Sequence, residues 1–190
     1  MRESPDVRIR IVDSKIVSSG QGLVTLAAAQ AASEGKGLDQ VADVALSTRQ
    51  RTGTFILLDT VRHVYRTGRM PKIASRIGSM LGVKPIARIT EKGEMHSIGL
   101  CRTRESGIRR MIKEIKKQTK GAALHFMILH ADAPDAAENL RCQVEREFDC
   151  LGMVIGEFSA VMGYGAGPGS LSIGFHPAPT TGKQVFDGAQ

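Results

Sequence analysis

The chain has 190 residues, 42% hydrophobic and 24% charged, with six Phe, two Tyr and no Trp. This is ordinary globular material with an aliphatic core, and no apolar run is long enough to cross a bilayer as a helix. A net charge of +7 and a pI of about 9.6 favour an acidic partner (nucleic acid, an anionic membrane surface, a phosphorylated ligand or an acidic protein face) without choosing among them.

The start, MRESPDVRIR, has no apolar core of the secretory type, so a cytoplasmic location is expected. Arg alternates with Val and Ile over Val7–Val12, which predicts a strand near a sheet edge. A polar loop from Asp13-Ser14 to Ser18-Ser19-Gly20-Gln21-Gly22 leads into a helix over about 23–33, whose Ala27, Ala28, Ala29, Ala31 and Ala32 permit close packing on a sheet. Gly35 and Gly37 stop it. A second helix is predicted over about 38–50, with Asp39 near its start and Arg49 and Arg51 near its end, each the sign the dipole favours.

Thr54 to Leu58 reads as a strand buried on both faces, closed by Asp59. Val61, Val64 and Tyr65 keep helical spacing up to Gly68, and a second helix, with Ile73, Ile77, Met80 and Leu81 on one face, runs to a stop at Gly82. Residues 84–90 and 95–101 form a hairpin around Glu91-Lys92-Gly93-Glu94. A basic helix over about 105–117 has Ile108, Met111, Ile112 and Ile115 on one face and Arg109, Arg110, Lys113, Lys116 and Lys117 on the other. A strand over 122–129, a helix over 134–147, a short strand over 153–155, a glycine-rich turn from Gly163 to Gly169 and a strand over 170–175 follow. After His176 a disordered tail is expected. The alternation gives an α/β protein. Cys101, Cys142 and Cys150 have no CxxC spacing and an odd count, so they read as thiols and not as disulfides or a zinc site.

The Ser18–Gly22 loop meets a helix start, where backbone N–H groups can hold a carboxylate or phosphate; the competing reading is a serine N-cap with glycines easing the turn. The Gly163–Gly169 turn either brings backbone close to a ligand or is simply a tight connection. Arg69 and Arg102 are ligand or docking cations, or solvated charges. His130, after an apolar strand, reads as a strand-end histidine bonded to backbone, and the five histidines show no metal-ligand spacing. The basic helix face is the best argument for nucleic acid, against a solvated charge row. No nucleophile–base pair or paired carboxylates stand out.

The ordered set Asp59-Thr60 with Gly68-Arg69, Leu81 with Lys84-Pro85-Ile86, Glu91-Lys92-Gly93-Glu94, Leu129-His130-Ala131-Asp132-Ala133-Pro134 and Gly167-Pro168-Gly169, with Asp13-Ser14-Lys15, Ser18, Gly20 and Gly22 upstream, resembles the DegV family of bacterial fatty-acid-binding proteins. The resemblance implies the remnant of a parallel three-layer N-terminal domain, residues 1–52, followed by a mixed-sheet α/β C-terminal domain, residues 53–176, and a tail, 177–190. It implies a non-catalytic protein that binds a long-chain fatty acid and presents its carboxylate to a separate kinase, with no metal or other cofactor. The lipid-binding residues carried over are Ser18, Gly20, Gly22, Arg69, Gly165 and Gly167; Arg69 and Arg102 are expected to dock an acidic kinase, with an anionic membrane surface as a further partner. Where the family commonly has a His-Thr pair before Gly-Pro-Gly, this chain has Gly165-Ala166. The Thr-Ser-Gln-Pro and Leu-Ser-Gly-Thr motifs of the family's upstream half do not occur, so the chain is expected to enter the family pattern late. The alternative function is a basic α/β module binding nucleic acid.

Overall fold

In a computed structural model of the protein, residues 7–68 and 82–178 are described. The elements in chain order are α1 (Ser18–Ser33), α2 (Leu38–Arg51), β1 (Gly53–Leu57), α3 (Arg62–Arg66), β2 (Lys84–Ile89), β3 (Met95–Cys101), α4 (Arg104–Thr119), β4 (Leu124–His130), α5 (Pro134–Glu147), β5 (Cys150–Glu157), α6 (Ala160–Ala166) and β6 (Leu171–Pro177).

The strands make one six-stranded sheet in the order β3-β2-β1-β6-β4-β5. The β4–β5 pair is parallel, joined through α5, and every other pairing is antiparallel. The mixed α/β class expected from the sequence is therefore what forms.

Alternation along the central strands sends two residue sets to opposite faces. Phe55, Leu57, Ile86, Phe126, Ile128, Leu171, Ile173 and Phe175 meet Ile108, Met111, Ile112 and Ile115 of α4 and Ala137, Leu140 and Val144 of α5 in the largest core. Four buried side chains at roughly 1.5–3 kcal/mol each outweigh the marginal stability of an isolated helix of α4's length. The Thr103 hydroxyl also accepts from Ser106 N–H at 3.2 Å and caps the helix start.

The other face carries two separate apolar clusters. Ile16, Val24 and Ala45 lie under α1 and α2. Ile56, Leu58, Val64, Ala87 and Ala166 lie under α3 and α6, with Phe158 and Met162 packed against them.

Four expectations are corrected. Residues 7–17 form no strand. Arg8 and Arg10 pair with Asp39 at the start of α2, while Ile9 and Ile11 are 78% and 90% exposed. The alternation is present, but a strand exists only through pairing, and no described strand pairs with this segment. The first helix begins at Ser18 and not near residue 23, so Gly20 and Gly22 are helical. Residues 160–166 are helical, and the glycine turn is confined to 167–169; Ser159 Oγ accepts from Met162 N–H at 3.4 Å and starts that helix. β5 spans eight residues instead of three, because parallel pairing with all of β4 overrides the weak propensity of Gly152 and Gly156.

Tyr65 is exposed although it shares helical spacing with buried Val64. The helix expected up to Leu81, and the tail beyond residue 178, lie outside the described residues.

Candidate functional site

β1 and β4 finish, and β2 and β6 begin, at one end of the sheet, since Leu57 and His130 both register with Leu171. Open α/β sheets bind ligands outside the carboxyl ends of strands, where loops diverge and backbone groups are free. Here the loop before β6 is locked from below. Gly169 N–H donates to Ala131 O at 2.7 Å, and Ala131 N–H donates to Ser170 O at 3.0 Å. Ser170 Oγ donates to Ala166 O at 2.9 Å.

Gly167 and Gly169 both have positive φ, 80° and 82°. A Cβ on Gly167 would sit 2.2 Å from His63 Cδ2, and one on Gly169 would sit 2.9 Å from Asp59 Cγ. Conformation and space both require glycine at these two positions.

Asp59 organises this end. Its carboxylate accepts from Lys84 Nζ at 2.5 Å and from Arg104 Nη2 at 3.1 Å. The same guanidinium nitrogen reaches Gly169 O at 3.4 Å. Burial alone raises the Asp59 pKa, but the hydrogen bond and charge of Lys84, followed by those of Arg104, outweigh it and hold the carboxyl below its usual range.

The first turn of α1 lies over the start of β6, because Ser19 Oγ and Ser172 Oγ are 2.7 Å apart and buried. Gly174 lets the helix approach: a Cβ there would be 2.7 Å from the Ser19 carbonyl carbon. Val17 is the N-cap residue and offers no side-chain hydrogen bond to the helix start. The serine-cap reading is therefore not what forms. Ser18 takes φ 56°, and its hydroxyl is buried with no hydrogen-bond partner among the described residues.

The sequence-derived site residues thus divide. Ser18 stands at the first turn of α1. Gly20 and Gly22 face the sheet, a Cβ on each striking Thr54 Oγ1 at 2.1 Å and Met127 Sδ at 2.3 Å. Gly167 stands in the turn. Gly165 is inside α6, and a Cβ there would meet nothing within 4 Å. Arg102 is exposed at the β3–α4 junction. Arg69 lies outside the described residues.

Sequence reading missed Lys84, Arg104 and His63. The available signal was Asp59, a carboxylate closing a buried strand, which needs cations from elsewhere in the fold.

His130 is buried and its Nδ1 accepts from Ala133 N–H at 3.3 Å, the strand-end role expected of it. On α4's outer face Lys116 pairs with Glu147, Lys117 with Glu114 at 2.9 Å, and Arg110 donates to Ile98 O at 2.8 Å. These contacts serve the fold, and nothing described there adds support for nucleic acid. Among the described residues no group of His, Cys, Asp and Glu is arranged to hold a metal, and no helix is long and apolar enough to cross a membrane.

A mixed six-stranded sheet with helices on both faces and a glycine turn clamped at the strand ends defines the class: a mixed-sheet α/β domain. The sequence model of the family described as uncharacterised protein, DegV family, matches residues 1–178, and the chain belongs to that family. A DegV domain-containing protein of Clostridium perfringens is 27% identical over 176 residues, covering 92% of this chain and 60% of its own. The fatty acid binding DegV family protein of Streptococcus agalactiae superposes with a TM-score of 0.74 at 26% identity, covering 92% of this chain and 62% of its own. The Fatty Acid Kinase B3 protein of Streptococcus pneumoniae, loaded with linoleic acid, has a TM-score of 0.81 at 16% identity, covering 90% and 61%. The chain therefore spans about three-fifths of the length of these relatives.

Proposed function

We propose that this chain binds a long-chain fatty acid at the carboxyl end of the sheet and presents its carboxylate to a separate kinase, itself performing no chemistry. The observation that carries this reading is the Ser18 hydroxyl, buried and unpartnered at the open start of a 16-residue helix. Leaving such a donor without an acceptor costs about 1–3 kcal/mol. The first-turn N–H groups of α1 and its positive dipole end favour an anion at the same place. A carboxylate answers both needs.

The acyl chain has apolar ground on the same face, between the cluster under α1 and α2 and the cluster under α3 and α6. The fatty acid binding description of the Streptococcus agalactiae relative and the linoleic acid carried by the pneumococcal one support the ligand class, and the name of the pneumococcal protein supports the kinase. In this reading residues 1–52 continue the family's first domain and 53–176 form its second. Exposed Arg102, with Arg69, serves the kinase encounter, and the acyl chain is drawn from an anionic membrane surface.

Native mass spectrometry of the chain purified from a bacterial host tests the reading. The expected result is a bound long-chain acid released on denaturation, with Ser18→Ala retaining markedly less. Wild-type protein that carries no acyl chain and takes up none from added oleate overturns it.

A further inference from the structure

We propose that the end of the sheet opposite the Gly167–Gly169 turn carries a second binding site, independent of the fatty-acid reading, in which Arg49, Arg51, Arg88 and Lys92 hold the phosphate chain of a polyphosphate anion.

β1 and β3 begin at this end, and β2 and β6 finish there, since Gly53 registers with Phe175 and Ile89 with Met95. A cavity of about 660 Å³ opens between the strand ends, the last turn of α2 and the tip of the β2–β3 hairpin. The four cations line it together with two carboxylates, Glu91 and Glu94, so four charges against two leave a surplus of two positive. Among the described residues none of the four cations lies within ion-pair distance of a carboxylate.

Two of the cations are held in place. Arg51 donates to Ser47 O at 3.1 Å and to Pro177 O at 2.8 Å. Burial lowers its pKa, as expected of a guanidinium drawn out of water with no anion beside it. Arg49 Nη2 donates to Glu91 O at 2.7 Å, while its Nε is buried with no hydrogen-bond partner among the described residues. A buried donor on a charged group is costly to leave unpaired, and an anion is its natural complement.

The placement of the cations selects the ligand. Arg49 and Arg51 come from α2, on the face of the sheet that carries Ile16, Val24 and Ala45. Arg88 stands directly opposite Phe55 on the neighbouring strand and so shares the other face, where Phe55 joins the core under α4. Lys92 is at the hairpin tip. One carboxylate cannot meet cations that arrive from both faces around the strand ends. Linked phosphates carry several charges over such a span, and their oxygens match guanidinium forks.

Titration calorimetry on the full chain at about 150 mM potassium chloride, where long-range attraction is screened, tests the site. Inorganic tripolyphosphate is expected to bind, and orthophosphate to bind at least about tenfold more weakly. ATP binding no better than tripolyphosphate would mean that the phosphate chain alone is read, and tighter binding that a nucleoside is seated as well; both support the site. Arg49→Gln and Arg88→Gln should each weaken tripolyphosphate about tenfold. Arg88 is exposed, so its variant should keep the wild-type melting temperature and separates loss of charge from any loosening of the hairpin by Arg49→Gln. Arg109→Gln with Lys113→Gln, on the exposed face of α4, should change binding by less than about twofold. An equal loss in that control would mean that net charge alone attracts the anion and would overturn the site. So would unchanged binding in Arg88→Gln, orthophosphate as tight as tripolyphosphate, tighter binding of a Glu-rich peptide, or no binding by wild type. Oleate binding measured in parallel keeps this failure distinct from failure of the fatty-acid reading.

Discussion

His125 and His176 are neighbours across β4 and β6, each 2% exposed, with ring centroids 5.1 Å apart. Burial first, then the charges of His176 and Arg51, push the His125 pKa down to about 4; burial also lowers that of His176. An unfolded histidine titrates near 6.5. Between the two values the unfolded chain holds more protons than the folded one, so stability should fall as pH drops from about 6.5 to 4, by up to about 3 kcal/mol. Urea unfolding of wild type at pH 7.5 and pH 5 should record the loss, and His125→Phe should remove much of it. Full pH dependence in that variant would assign the effect to His176. The pairing of these histidines needed the register of two strands 51 residues apart in the chain, which no local pattern encodes. Asp59 and Arg104, 45 residues apart, came together for the same reason.

At the scale of elements, α1 seated on β6 is the joint that places the Ser18 hydroxyl. Gly174→Ala would drive a methyl into the Ser19–Gly20 backbone; the helix would have to lift, at a cost of about 3 kcal/mol in urea unfolding. Gly22→Ala meets only the flexible Met127 side chain, so its cost should be about 1 kcal/mol or less. Equal costs would show that the helix–sheet spacing is not set by Gly174. Thr103→Ala removes the α4 cap and should lose about 1 kcal/mol with no change in fold by circular dichroism. The periodicity of Ile108, Met111, Ile112 and Ile115 made α4 legible because one helix face carries the pattern. The start of α1 was not legible. Gly20 and Gly22 look like turn residues when read locally, and only the sheet beneath them explains why a helix needs them.

At the scale of the molecule, the exposed row of Ile9 and Ile11 is a strand pattern without a described partner. Such rows promote edge-to-edge association. Ile9→Lys with Ile11→Lys should leave the melting temperature nearly unchanged, since both side chains are already solvated, and should reduce concentration-dependent self-association in analytical ultracentrifugation. A large fall in melting temperature would mean that the row is covered within the chain. Arg102→Glu is expected to slow acyl-phosphate formation with a kinase while leaving lipid retention unchanged; loss of lipid in that variant would make Arg102 a head-group ligand instead of a docking residue.

By itself the sequence determined the α/β class, the placement of most helices and strands, the aliphatic core and the family, because hydrophobic periodicity, glycine punctuation and ordered motifs are local properties of the chain. The tertiary structure alone decided that residues 7–17 join no described strand, that Gly20 and Gly22 are helical, and that Lys84 and Arg104 share one carboxylate. Pairing, close approach and charge convergence depend on what lies across the sheet, and residues far apart in the chain meet there only once the strands have found their order.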